Sequence, residues 1–71
     1  MKEFNPQTLK NLRTKLGLTQ NEFARKLPGT NFQAQHVFNW ENSKNVPSLK
    51  TLSRIVDAYK VPFSYFFTEK E

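Results

Sequence analysis

Residues 16–27 read Leu16-Gly17-Leu18-Thr19-Gln20-Asn21-Glu22-Phe23-Ala24-Arg25-Lys26-Leu27, and the fold turns on them. Gly17 stands where a left-handed residue ends one helix. Thr19 to Glu22 is a capping box, in which Thr19 and Glu22 satisfy each other's orphan backbone N–H groups and Leu18 can staple onto Phe23. A helix follows from Gln20 to about Leu27, burying Phe23, Ala24 and Leu27, and Pro28-Gly29 stops it. Upstream, Asn5 can cap, Pro6 suits the first helical position and Phe4 can staple onto Leu9. Leu9, Leu12 and Leu16 then recur at helical spacing, giving a first helix from Pro6 to Leu16.

Downstream, Thr30, Asn31 and Gln33 are all plausible caps for a third helix, which carries Val37 and Trp40 inward and ends near Asn42-Ser43. Lys44 to Pro47 is a loop. Ser48 caps a fourth helix with Leu49, Leu52, Ile55, Val56 and Tyr59 along one face. Val61-Pro62 breaks it, and the aromatic stretch Phe63 to Phe67 reads as a short fifth turn or helix. Nothing alternates with period two, so the expected fold is all-α, a compact five-helix bundle forming one domain over residues 1–71.

Composition narrows the function. The chain has 71 residues and no cysteine, which removes disulfides, thiolate metal sites and cysteine nucleophiles, and the lone His36 assembles neither a histidine metal site nor a triad. No cofactor, metal or small-molecule substrate is indicated, and an enzyme is not expected. Eleven Lys and Arg against six Asp and Glu leave a net charge of +5, and Glu3, Glu69 and Glu71 lie at the chain ends, so the body is more basic still. Such a cation attracts polyanions, nucleic acid first among them. No apolar run is long enough to span a bilayer and MKEFNPQTLK lacks a signal peptide's apolar stretch, so a cytoplasmic location is expected, away from membranes.

The third helix has an unusual surface. Outside the apolar Ala34, Val37 and Trp40, it carries Gln33, Gln35, His36, Asn39 and Asn42, with amides where a surface helix usually carries Lys and Glu. Asn and Gln can bond adenine N6 and N7 bidentately, so this face can read base edges in a DNA major groove. An uncharged solvated face is the plainer alternative.

LRTKLGLTQNEFARKL, then HVFNWENSK, then VPSLKTLSRIVDAYKVPFSYFF, resembles the lambda-repressor-like helix-turn-helix domain of phage repressors, Cro proteins and many bacterial regulators, over about residues 6–67. The resemblance implies the helix-turn-helix at the second and third helices, with Gln33, Gln35, Phe38 and Asn39 facing the bases, Phe38 near a thymine methyl. It implies that Thr19 and Gln20, then Asn42, Lys44, Asn45 and Lys50, hold the sugar-phosphate backbone. Arg13 and Glu41 match a structural ion pair. His36 is a DNA contact or a spacer, and Arg25, Lys26 and Arg54 are undecided. The chain departs from the family's pattern in a longer link between Leu27 and Val37, with Pro28-Gly29-Thr30 as the extra material, and in Ser43 and Lys60 where glycine is common.

The implied function is sequence-specific binding of double-stranded DNA as a prokaryotic or phage transcriptional regulator, a repressor more often than an activator, acting as a homodimer on an operator. Tyr65, Phe66 and Phe67 are the candidate self-association surface, since so small a core has no room for all three; a face of the fourth helix is the alternative. A rival class is a helix-turn-helix protein-interaction module or antitoxin whose aromatic C-terminus docks a partner. RNA binding ranks third, for want of an exposed stacking platform.

Overall fold

The computed structural model describes residues 2–27, 29 and 31–69. Its elements, in chain order, are β1 (Lys2–Phe4), α1 (Pro6–Lys15), α2 (Gln20–Arg25), α3 (Ala34–Glu41), α4 (Leu49–Tyr59), a 3-10 turn (Phe63–Phe66) and β2 (Phe67–Glu69). The caps are those the sequence implies. The Asn5 side chain accepts from the Gln7 N–H, Ser48 Oγ accepts from the Thr51 N–H, and Thr19 and Glu22 form the reciprocal box at 3.1 and 2.8 Å. The bonds from Thr19, first its backbone N–H and then its hydroxyl, hold the Glu22 carboxyl below the usual carboxylate range, helped by nearby Lys26. The box is therefore complete at neutral pH and loosens as pH falls through that lowered value.

The helices enclose a core of Leu9, Leu12, Phe23, Ala24, Leu27, Val37, Trp40, Leu52, Ile55 and Phe66. Tyr59 stacks on Phe23 with ring centroids 4.4 Å apart, and its hydroxyl donates to the Phe23 carbonyl at 2.8 Å, tying α4 to α2. Burial pushes the Tyr59 phenol up to about 12.

The ends of the chain correct the expectation of a purely helical five-helix bundle. Among the described residues there are four α-helices, the segment expected as a fifth helix is a 3-10 turn, and β1 pairs antiparallel with β2, Lys2 opposite Glu69 and Phe4 opposite Phe67. Asn5 stitches the two ends together: its N–H donates to the Phe66 carbonyl at 2.8 Å and its side-chain amide to Thr68 Oγ1 at 3.2 Å. Phe4 packs on the rings of Phe66 and Phe67. This clasp drives Phe66 into the core, where it is fully buried, so Phe66 cannot belong to a self-association surface. Phe67 is half-buried and stacks on Phe63, and Tyr65 stays exposed. Leu16 and Leu49, assigned above to apolar faces, are also exposed, because each sits at a helix end that overhangs the core.

The long link is an extended turn rather than an earlier start of α3. Pro28 and Thr30, two of the residues marked as extra material and Thr30 a candidate cap, lie outside the described residues. Within the turn, Gly29 has φ +67°, and a Cβ there would lie 2.8 Å from the Arg54 guanidinium. Phe32 then drops edge-on against Trp40 with centroids 5.0 Å apart, and α3 begins at Ala34.

Ser43 and Lys60 hold the left-handed conformation without being glycine, at φ 60° and 58°. An L side chain costs about 1–2 kcal/mol there, offset in a glycine variant by roughly 0.5–1 kcal/mol of extra unfolded-chain entropy. Ser43→Gly and Lys60→Gly should each stabilise the domain by about 0.5–1 kcal/mol, raising Tm by roughly 2–8 °C, and additively in the double variant. Thermal unfolding followed by circular dichroism checks this; unchanged or lower Tm in both variants contradicts it.

Candidate nucleic-acid interface

The interface is assembled around Glu41, at the C-terminal end of α3. Its side chain is 2% exposed and accepts from Arg13 of α1 through two bonds, Nε to Oε2 at 2.6 Å and Nη2 to Oε1 at 3.1 Å. Arg13 Nη1 donates to the Leu18 carbonyl at 2.8 Å in the α1–α2 link. Gln20, the first residue of α2, donates from Nε2 to Glu41 Oε1 at 3.2 Å. One carboxylate therefore fixes three helices. It also sets Thr19 and Gln20 beside the end of α3, although half-buried Gln20 has one amide hydrogen committed internally and offers only the other to a phosphate.

The helix α3 spans eight residues, about 12 Å at 1.5 Å per residue. Val37 and Trp40 are its buried side, while Gln35, His36 and Phe38 are exposed and Asn39 is half-buried. Gln35 Nε2 donates to Asn39 Oδ1 at 2.9 Å, so the two amides form a continuous polar strip one turn long. Phe38 is 39% exposed, an apolar side chain on the outer surface. Gln33 is the exposed N-cap residue, and His36 completes that end: its Nδ1 accepts from the Gln33 N–H at 3.0 Å, leaving the imidazole proton on Nε2. His36 also packs against Phe32. It belongs chiefly to the helix start, a role carried in the sequence by its position three residues after Gln33, where a capping box places its second member.

The other end of α3 closes into the loop that carries the expected backbone contacts. Asn42 donates both its N–H and its side-chain amide to the Phe38 carbonyl, at 3.0 and 2.8 Å. Its side chain thus works as a C-cap, with one amide hydrogen left over. The backbone N–H groups of Lys44 and Asn45 donate to the Asn39 carbonyl at 2.9 and 3.3 Å. Both side chains stay exposed, as does Lys50 in the first turn of α4. The same end of the molecule presents Val46 and Leu49, 68% and 71% exposed. The sequence places Val46 in the loop without a role and Leu49 on the apolar face of the fourth helix; the structure exposes both.

A short helix with an amide surface, seated on a second helix across an extended turn and flanked by Lys44 on the following loop and Lys50 at the start of α4, defines the class of DNA-binding helix-turn-helix domains. A family model described as helix-turn-helix matches residues 9–66, and the chain belongs to this lambda-repressor-like family of DNA-binding transcriptional regulators, a regulatory family rather than an enzymatic one. No curated protein and no solved structure matches the chain. Among the described residues no helix is long and apolar enough to cross a membrane.

The Glu41 arrangement has a direct consequence for stability. Glu41→Ala leaves the Arg13 guanidinium buried without its partner, a loss of about 3–5 kcal/mol, most of the stability of a domain this size. The double variant Arg13→Met/Glu41→Leu should lose clearly less than the losses of Arg13→Met and Glu41→Leu added together. Urea unfolding of the wild type, the two single variants and the double variant checks this; strict additivity would show that the pair is not coupled.

Proposed function

We propose that the domain binds a specific double-stranded DNA operator through α3 in the major groove and represses transcription by occupying it, with two copies on a roughly palindromic site. The observation that carries this reading is the amide strip of Gln35 and Asn39 on the outer surface of α3, between a capped N-terminus and a lysine-bearing loop. Gln33 and Phe38 extend the base-facing surface. Lys44, Asn45 and Lys50, with the remaining donors of Thr19, Gln20 and Asn42, hold phosphates and so set register rather than sequence. Palindromic half-sites about one helical turn apart would bring two copies together. With Phe66 in the core, Tyr65 is what remains exposed of the aromatic candidates for that contact, and the apolar Val46 and Leu49 offer a second surface.

The protein-docking alternative rests on the same exposed aromatics, and Phe66 cannot test it because a polar residue there empties the core. Tyr65→Ser can. Selection of sites from random duplexes, followed by affinity measurement over a salt series, separates the two readings. A palindromic motif should emerge, occupied by two copies in sedimentation, and Lys44→Ala should weaken binding to all sequences alike while reducing the salt slope by about 0.9. Weak binding that selects no motif and vanishes with salt, combined with a loss of biological activity in Tyr65→Ser, would overturn the operator reading in favour of docking.

A further inference from the structure

We propose that Arg54, on α4, is the positioning residue that fixes where α3 begins, and with it the setting of Gln33 and Gln35 toward DNA. The second half of the inference rests on the operator reading above. The two ends of α3 are held by different means. At Glu41 the helix is fixed by side chains of α1 and α2, through bonds of 2.6, 3.1 and 3.2 Å. At its start the link from α2 is long, and Thr30, Asn31 and Gln33 are rival caps, each of which would begin the helix at a different residue. The structure uses Gln33. A flexible link leaves that choice open, because the entropy of a loop changes only slowly with its length.

Arg54 pins the link from behind. Its neighbours Leu52 and Ile55 are buried, so the root of its side chain is fixed to the core. Its guanidinium lies against Gly29 in the space a side chain would fill, with Nη1 2.8 Å and the central carbon 3.7 Å from where a Cβ would stand. A flat, weakly hydrated guanidinium suits this close approach to backbone better than an ammonium does. Further along the link, Phe32 meets the ring of Trp40 with centroids 5.0 Å apart. The short span between these two pins has little freedom, and Gln33, next in sequence, is left as the cap. Its N–H then reaches His36 Nδ1 at 3.0 Å, and its carbonyl accepts from the His36 and Val37 N–H groups at 3.0 and 3.5 Å.

The test uses Arg54→Ala, Arg54→Lys, Gly29→Ala and the double variant Gly29→Ala/Arg54→Ala, each first shown by circular dichroism to be folded; alanine and lysine both favour a helix at position 54. Amide exchange of the free domain, followed by NMR, reads the start of α3 directly. In Arg54→Ala and Arg54→Lys the Gln33, His36 and Val37 N–H groups should exchange faster by roughly 2- to 12-fold, the range of one ordinary contact, with the Asn42 and Lys44 N–H groups unchanged. A Cβ at position 29 displaces the guanidinium, so Gly29→Ala should lower Tm less in the Arg54→Ala background than in the wild type. In site selection, Arg54→Ala should flatten the base preferences that Gln35→Ala also flattens and keep those that depend on Asn39, with the wild-type salt slope.

Equal acceleration at both ends of α3, or none at either, overturns the positioning role, as does additivity of Gly29→Ala and Arg54→Ala. A salt slope smaller by about 0.9 in Arg54→Ala and restored in Arg54→Lys overturns it in favour of a direct phosphate contact. If the wild type selects no motif, the operator reading falls and takes the second half of this inference with it, while amide exchange still decides the first.

Discussion

The buried carboxylate of Glu41 is the point on which the geometry of the interface depends. It sits at the C-terminal end of α3, where the helix dipole disfavours a negative charge, and is kept there by Arg13 from α1 and Gln20 from α2. Such a pair contributes little net stability compared with apolar residues of equal volume, because desolvating both ions offsets most of their attraction. What it supplies is direction. Apolar contacts of Val37 and Trp40 would tolerate some sliding of α3 over the core, whereas a two-bond guanidinium–carboxylate contact does not. The Arg13 bond to the Leu18 carbonyl extends the constraint into the α1–α2 link.

An eight-residue helix is too short to persist in water by itself, so every end group of α3 needs a partner within the fold. His36 serves the first turn, Asn42 the last, and the backbone of Lys44 and Asn45 returns to the Asn39 carbonyl. These bonds place the exposed lysine and asparagine of the loop at a set distance from the amides of α3. In the proposed operator complex, phosphate and base contacts would share one rigid frame, through which non-specific attraction sets register. The left-handed Ser43 is the local cost of that tight return.

Much of this was legible in the sequence because it is written in local signals. The capping box at Thr19, the caps at Asn5 and Ser48, the left-handed Gly17 and the inward Val37 and Trp40 each depend on residues within one turn of each other. The glycine-to-Ser43 and glycine-to-Lys60 departures marked two positions that keep the left-handed backbone. Other features depend on distant partners and left no such trace. Strands of three residues are too short to show a period of two, so β1 and β2 were invisible, and with them the reason Phe66 is buried. The extra link between α2 and α3 could have lengthened either the turn or the helix; what settles it is Arg54 from α4 behind Gly29, and Phe32 against Trp40. At the site, residue type named the amides, but the bond between Gln35 and Asn39 belongs to rotamers rather than to sequence.

The central claim is that α3 and the loop after it form the DNA-contacting surface. Titrating the isotope-labelled domain with an operator-length duplex and following every backbone amide and side-chain NH2 signal by NMR tests it most directly. The account predicts the largest shifts at residues 33–45 and at Thr19 and Gln20, with the NH2 signals of Gln35 and Asn39 moving and the backbone amide signals of β1 and β2 staying still. Shifts concentrated instead around Leu16, Leu18, Lys26 and Tyr59, which line a groove of about 300 Å³ formed by the α1–α2 link, the end of α2 and α4, with α3 silent, would contradict it.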